Sequence, residues 1–322
     1  MLITTEGICE DNLDKTTVCV LLTTFNRGET TLKALITLDD ERLMIDYLVI
    51  DDASTDDTRR LLREWNEPSG ETDDDTSEEK PHLPHRRSNG KLYIIKGSGS
   101  LFWAGGMRKG MEMLLEKDKN YDYLLMINDD VEFYPDAIIK MIGRSKEKGN
   151  MPVTGATLGK PGVSVDLPGN NGKDIKTTTY GGVLYDMNKA KPRHLSISEA
   201  DKRPVDTMNC NCFLLPWEIF RAAGVFDKHY VHSAADYDYG FRLKNLGFKV
   251  WLTPFYVGEC DDNDISGTWR DTSLSRLDRL RKKESVKGLP WKQWYYYLRK
   301  NFGLRQALWH SVTPYLRILT GR

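Results

Sequence analysis

Two acidic pairs follow short apolar runs: Asp51-Asp52 after YLVI (47–50) and Asp129-Asp130 after YLLMIN (123–128). A third run, TVCVLLTT (17–24), leads into Phe25, Asn26 and Arg27. Runs of this length and β-branched content read as buried parallel strands. In open α/β sheets ligands bind beyond the carboxyl ends of the strands, so both acidic pairs would share one rim. Like charges crowded there cost free energy until something neutralises them. A divalent cation does so, and carboxylate oxygens favour Mg²⁺ or Mn²⁺. The competing reading is that the acids cap the following helices. It has more force for Asp51-Asp52, which a helix follows closely, than for Asp129-Asp130, where Val131, Glu132 and Phe133 intervene.

The elements that must hold such a rim are legible along the chain. Strands are expected at 17–24, 47–50, 91–96 and 123–128, and helices at 28–42, 55–65, 105–117 and 135–147. Ser54 or Thr55 would cap the second helix, with acids in its first turn. Alternating strand and helix predicts an α/β fold, a mostly parallel sheet flanked by helices. Between about 66 and 90, Pro68, Pro81, Pro84 and the run DDDTSEE predict a mobile acidic loop. The second half reads as mixed: short strands and turns over 155–184, a strand at 212–215, helices at 217–223 and 236–246, and a late strand at 250–253.

At this point the chain resembles the inverting family 2 glycosyltransferases of the GT-A fold. The resemblance rests on LLTTFNR (21–27), VIDDASTDDT (49–58), GSLFWAGGMRKGM (99–111), INDDV (127–131) and ADYDYGFRLKNLGF (235–248). Any one of these is weak; five in the family's order, over residues 17–255, are a strong signal. Through FWAGG and NDDV the chain is most similar to bacterial members that build surface polysaccharides, such as rhamnosyltransferases.

The resemblance implies a Rossmann-like GT-A sheet and roles for particular residues. Thr24, Asn26 and Arg27 match the turn that cradles the donor nucleotide. Asp51 and Asp52 match the pair facing base and ribose, with Ser54 in the same turn. A carboxylate accepting the N3–H of uracil or thymine would select UDP- or dTDP-sugars, since cytosine has no donor there. Trp103, Gly105 and Gly106 match the segment beside the donor sugar and diphosphate, where small residues let backbone N–H groups approach a phosphate. Core packing is the other reading of Trp103, and Lys109 is a cation within reach of an anion. Asn128-Asp129-Asp130 matches the Asp-x-Asp motif with Asn in its first place. Asp130 is then the leading metal ligand, and Asp129 the next, toward metal or ribose. Asp236 matches the catalytic acid, a general base that takes the acceptor's proton in a single inverting displacement. Helix capping is its alternative, and Asp238 with Arg242 reads equally as a helix-surface pair. The family's third metal ligand, commonly His, has no counterpart here; Asp261 stands at that place, where a solvated acidic turn is the plainer reading.

The bulk numbers bound these readings. The 322 residues are 39% hydrophobic, enough for one large domain plus an extension. A net charge of −1 excludes a generic nucleic-acid binder. Residues 269–322 hold 13 Lys/Arg against 3 Asp/Glu, a net of +10, which leaves −11 for the rest. The expected division is therefore a GT-A domain over 1–268 and a basic, aromatic helical extension over 269–322. Apolar residues at 291, 294, 295, 298, 302 and 309 fall on one helical face flanked by Lys292, Arg299 and Lys300. Such a helix reads as a contact with an anionic membrane surface, suited to a glycan or polyprenyl-diphosphate-linked acceptor. It reads alternatively as a helix docked on the domain or in a homodimer interface. Five cysteines, an odd number, suit free thiols in a reducing compartment, and Cys210-x-Cys212 lacks the second pair a zinc site needs. The N-terminus has no basic signal region, and no run of about 20 apolar residues occurs. The expected location is cytoplasmic, with peripheral attachment to the inner membrane face through the extension. Two other functions compete: a nucleotidyltransferase, for which FNRGETT is a poor glycine-rich loop, and a non-catalytic sugar-nucleotide-binding protein, against which Asp130 and Asp236 both argue.

Overall fold

The structure is a computed structural model that describes residues 16–67, 86–117, 119–159, 178–261 and 265–321. Most of the predicted acidic loop lies outside them. The first half runs β1 (Thr17–Thr24), α1 (Gly28–Leu38), β2 (Met44–Asp51), α2 (Thr58–Asn66), β3 (Leu92–Lys96), α3 (Phe102–Glu116), β4 (Tyr123–Ile127), β5 (Glu132–Phe133) and α4 (Ala137–Glu147). The second half follows with β6 (Val153–Leu158), β7 (Gly182–Asp186), β8 (Lys191–His194), β9 (Thr207–Met208), β10 (Cys212–Pro216), α5 (Trp217–Ala223), α6 (Ala235–Asn245) and β11 (Trp251–Glu259). Helices α7 (Arg276–Glu284) and α8 (Trp291–Leu319) complete the chain.

One eight-stranded sheet has the order β3-β2-β1-β4-β10-β6-β11-β5, and β8-β7-β9 form a small second sheet. The pairs β2–β3, β1–β2, β1–β4 and β6–β11 are parallel, whereas β10 runs antiparallel between β4 and β6. The expected mostly parallel α/β sheet is thus present. Alternation along β1 builds both core layers. Val18, Val20 and Leu22 face Leu32, Leu35 and Leu62, while Cys19 and Leu21 face Met107 and Met111.

Helix α3 lies unusually close to β1 because Gly110 gives it room. A Cβ built on Gly110 would stand 2.3 Å from Leu21 Cδ1, and Leu21 is fully buried. Gly110→Val is expected to destabilise by about 1–3 kcal/mol through overpacking. The check is urea unfolding, where the midpoint should fall and the slope stay unchanged.

Three expectations need correction. Helix α1 stops at Leu38 because Asp39 turns inward, accepting the Tyr47 hydroxyl at 3.0 Å and the Ser88 N–H at 3.1 Å. Helix α2 starts at Thr58, and neither Ser54 nor Thr55 caps it. Their groups bond to Asn26 instead: Asn26 N–H donates to Ser54 Oγ, and Thr55 N–H donates to Asn26 Oδ1. The single apolar face expected across 291–309 is divided at Gly303, whose φ of 84° and ψ of 176° break α8. Before the break, Tyr297 and Leu298 are buried, and Trp294, Tyr295 and Phe302 pack on the core. After it, Ala307, Ser311 and Ile318 face inward while Leu304, Leu308, Trp309, Val312 and Leu316 face solvent. Among the described residues no helix is long and apolar enough to cross a membrane.

Candidate active site

The carboxyl ends of β1, β2 and β4 open into a cavity of about 680 Å³. Thr24, Arg27, Asp52, Trp103, Asn128, Asp129, Asp130 and Asp236 all line it. Residues separated by up to 212 positions in sequence therefore share one cleft, of a size usual for ligand sites.

The rim acids are neutralised by a side chain. Arg27 Nη1 lies 2.8 Å from Asp129 Oδ1, and Nη2 lies 3.1 Å from Asp130 Oδ2. The planar guanidinium thus spans both carboxylates. Asp129 is buried, and burial raises its pKa while Arg27 pulls it back and Asp130 pushes it up, to about 6. Asp130 is more open, with Cys260 Sγ at 3.6 Å from Oδ1. Among the described residues no three His, Cys, Asp or Glu gather into a metal cage, and Asp261 is exposed. The donor set still suits Mg²⁺ or Mn²⁺, which are commonly held by one or two carboxylates with substrate phosphates completing the shell.

Asp52 lines the cavity while organising its edge. Its Oδ1 accepts the Gly99 N–H at 2.8 Å, and its Oδ2 accepts the Phe102 N–H at 3.0 Å. Asp51 lies beneath the turn, fully buried, paired with Arg59 and accepting the Ser54 N–H at 2.9 Å. Asp51, Asn26 and Ser54 are outside the cavity wall and tie the β1 and β2 turns together. Lys109 is also outside it, donating to the Lys96 carbonyl at 2.8 Å.

Gly106 serves packing, and the first-turn amides of α3 are engaged elsewhere. The N–H groups of Ala104 and Gly105 both donate to the Val231 carbonyl, at 3.1 and 3.3 Å. A Cβ on Gly106 would meet Thr23 Oγ1 at 2.5 Å. Trp103 packs against the core and also borders the cavity. Its ring packs on Phe226 at 5.7 Å, its indole N–H donates to Asn128 Oδ1 at 2.9 Å, and one side faces the cavity.

Asp236 sits in the first turn of α6, which begins after Ala234 in the left-handed region at φ 66°. Its side chain does not cap that helix from the N-cap position. Oδ1 accepts the Tyr237 N–H at 2.9 Å and Oδ2 accepts the Cys210 N–H at 3.4 Å. Burial raises its pKa, these backbone donors lower it, and the result is about 6. Asp238 does pair with Arg242 at i, i+4, at 3.7 Å, but not at the surface. It is buried, and Lys300 Nζ at 2.8 Å and Asn301 Nδ2 at 3.1 Å both donate to it from α8.

Several wall residues escaped sequence reasoning: Tyr185, Asn209, Asn211, His232, Arg270 and Lys287. The excess of Lys and Arg after residue 268 was the one available signal for the last two.

Comparison with known proteins now bears on this geometry. Residues 19–172 match the protein-family model described as glycosyl transferase family 2. No curated protein matches the chain. Among solved structures, a mannosyltransferase from Pyrobaculum calidifontis, in complex with GDP-Man and Mn²⁺, aligns with a TM-score of 0.51 at 12% identity. The alignment covers 94% of this chain and 73% of that one. Residues 1–349 of S. aureus TarS, in complex with UDP-GlcNAc, align with a TM-score of 0.49 at 11% identity, over 95% of this chain and 72% of that one. The first likeness speaks to fold alone and the second adds no weight. The matched segment, which spans the strands that open into the cleft, is thus similar to the family 2 glycosyltransferases, and the sheet has the α/β architecture of the GT-A fold.

Proposed function

We propose that this domain transfers one sugar, with inversion, from a UDP- or dTDP-sugar to a hydroxyl of a glycan acceptor. The observation that carries the reading is the common cavity of Asp52, Asp129, Asp130 and Asp236. The donor's nucleotide lies over Thr24, Arg27 and Asp52, in the turns that Asn26, Asp51 and Ser54 tie together. Asp52 keeps lone pairs free beyond those used by Gly99 and Phe102, so it can still accept a pyrimidine N3–H. Asp130 and Asp129 would hold a divalent cation, Mn²⁺ or Mg²⁺, which when bound offsets charge on the departing diphosphate. Arg27 then trades its carboxylate partners for phosphate oxygens.

The acceptor oxygen attacks the anomeric carbon from the face opposite the diphosphate. A C–O bond forms, the bond from carbon to diphosphate oxygen breaks, and the hydroxyl proton passes to the Asp236 carboxylate. One displacement of this kind inverts the anomeric centre. A base with a pKa of about 6 is mostly ionised at neutral pH yet still basic enough to accept a proton. The test is the product's anomeric configuration by NMR after reaction with an α-linked UDP- or dTDP-sugar. A β-linked product is expected, and an α-linked product would end the single-displacement reading.

The acceptor we favour is lipid-linked, in bacterial surface-polysaccharide synthesis at the inner face of the membrane. Support comes from the outward stripe of Leu304, Leu308, Trp309, Val312 and Leu316 on the second half of α8. Trp309 is 64% exposed, and between 304 and 319 the charges are Arg305 and Arg317 with no acid. Apolar residues beside cations suit an anionic bilayer surface. Leu308→Glu with Trp309→Glu is expected to lower co-sedimentation with phosphatidylglycerol vesicles at least tenfold. Unchanged vesicle binding, or a halving of mass in light scattering without lipid, would replace the membrane with a homodimer.

A further inference from the structure

One wall of the cavity comes from outside the segment that matches the family. Arg270, Lys287 and Trp294 reach it from the C-terminal extension, where they meet Tyr185, Tyr237 and His232. The rings of Tyr185 and Tyr237 stand edge to face at 6.2 Å, and Trp294 stacks on Tyr297, whose hydroxyl donates to Tyr185. Asp236 lies close enough to Tyr185 for its charge to oppose ionisation of that phenol. The aromatic face and the candidate base therefore border the same space. The acids at the ends of β2 and β4 lie along the sheet rim of the cavity.

The same wall is cationic. Arg270 and Lys287 are exposed, and among the described residues neither forms an ion pair with a carboxylate. The Arg270 guanidinium rests over the Trp269 ring. His232 is packed edge-on against Phe102, and its Nδ1 is buried without a hydrogen-bond partner. Burial, and then the Lys287 ammonium, hold its pKa below the ordinary imidazole range, so the ring is neutral near pH 7. Two cations with no carboxylate partner among the described residues, beside an aromatic face, describe a place for a sugar that carries an oxyanion.

We propose that this wall is the acceptor subsite and that the acceptor is a glycosyl phosphate. Its sugar ring lies on Tyr185, Tyr237 and Trp294, and its phosphate meets Lys287 and Arg270. The inference rests on the transfer reading above, in which the acceptor hydroxyl must reach Asp236. A lipid-linked sugar diphosphate and a soluble sugar phosphate share this chemistry.

The experiment is calorimetric binding of octyl hexosyl phosphates and matching uncharged octyl hexosides, with nucleoside diphosphate present. For at least one hexose the wild type is expected to bind the phosphate at least tenfold more tightly. Lys287→Glu and Arg270→Glu should erase that preference, while affinity for nucleoside diphosphate changes less than twofold. Both side chains are exposed, and circular dichroism verifies that the variants fold. Methyl hexosyl phosphates separate the sources: equal binding marks a soluble acceptor, and tighter binding of the octyl forms marks a lipid-linked one. No preference for phosphate across the panel, or a preference that survives both substitutions, overturns the inference. So does a matching loss of nucleoside diphosphate affinity, which would give these cations to the donor. Failure of the transfer reading is distinguishable, because it appears as absent sugar transfer whatever the binding shows.

Discussion

Replacing Asp236 with Asn is expected to slow sugar transfer by about 10²–10⁴, the range for removing a positioned general base. Asn keeps the side chain's size and one acceptor for the Tyr237 and Cys210 amides, so the start of α6 should hold its shape. Nucleoside diphosphate affinity, measured by calorimetry, should change little. The wild-type pH profile supplies a second, independent reading. The carboxyl must be ionised to act, and burial raises its pKa to about 6. Activity should therefore fall as pH drops through about 6 and level off above about 7. Beside Asp236, Cys210, Tyr185 and Tyr297 have their pKa values raised by burial and stay neutral in that window, whereas Asp129 across the cavity is also raised to about 6 and adds to the same acidic limb. Near-normal turnover by the Asn variant would remove Asp236 from the role of base.

Asp130→Asn is expected to cost about 10²–10³ in transfer rate, the scale for losing one preorganised group that stabilises developing charge. The accompanying change is at least tenfold weaker Mn²⁺ binding with nucleoside diphosphate present, followed by calorimetry. Arg27 sharpens this expectation. It bridges Asp129 and Asp130, so Asn at 130 leaves it paired with Asp129 alone. Arg27→Ala should act in the opposite sense on the metal, tightening Mn²⁺ binding to the rim by removing a competing cation, while weakening affinity for the nucleoside diphosphate. Transfer that proceeds unchanged after chelation would withdraw the cation from the mechanism.

The parallel half of the sheet was readable because its strands are short apolar runs that end abruptly in polar residues. TVCVLLTT is β1 to the residue, and YLLMIN overran β4 by one. The insertion of β10 between β4 and β6 was not readable. Its register joins Cys212 to Ile127 and Leu214 to Val153, pairings that leave no local trace. Asp52, Asp129 and Asp130 line one cavity whereas Asp51 lies beneath the turn, and crowded charge alone does not reveal its own neutralising partner. That partner includes Arg27, which stands 102 residues before Asp129 and folds onto it. Asn26, Ser54 and Asp51 carry the polarity of ligand-binding residues, and in this structure much of that polarity joins two turns. The cationic wall was the least legible part. Composition marked the extension as basic, and only its folding back along α6 brings Arg270 and Lys287 to the cavity.

Lys300 clasps Asp227 at 2.9 Å and Asp238 at 2.8 Å, and Tyr296 reaches Asp227 at 2.8 Å, so one helix of the extension grips both ends of the segment leading into Asp236. Proteins open piecemeal, and peripheral helices commonly release before a central sheet does. Warming should therefore act on this protein in two stages. The sugar transfer proposed above would fade first, recoverably, as the terminal helix loosens and Asp236 loses its aim, while β1, β2 and β4 remain intact until a higher temperature.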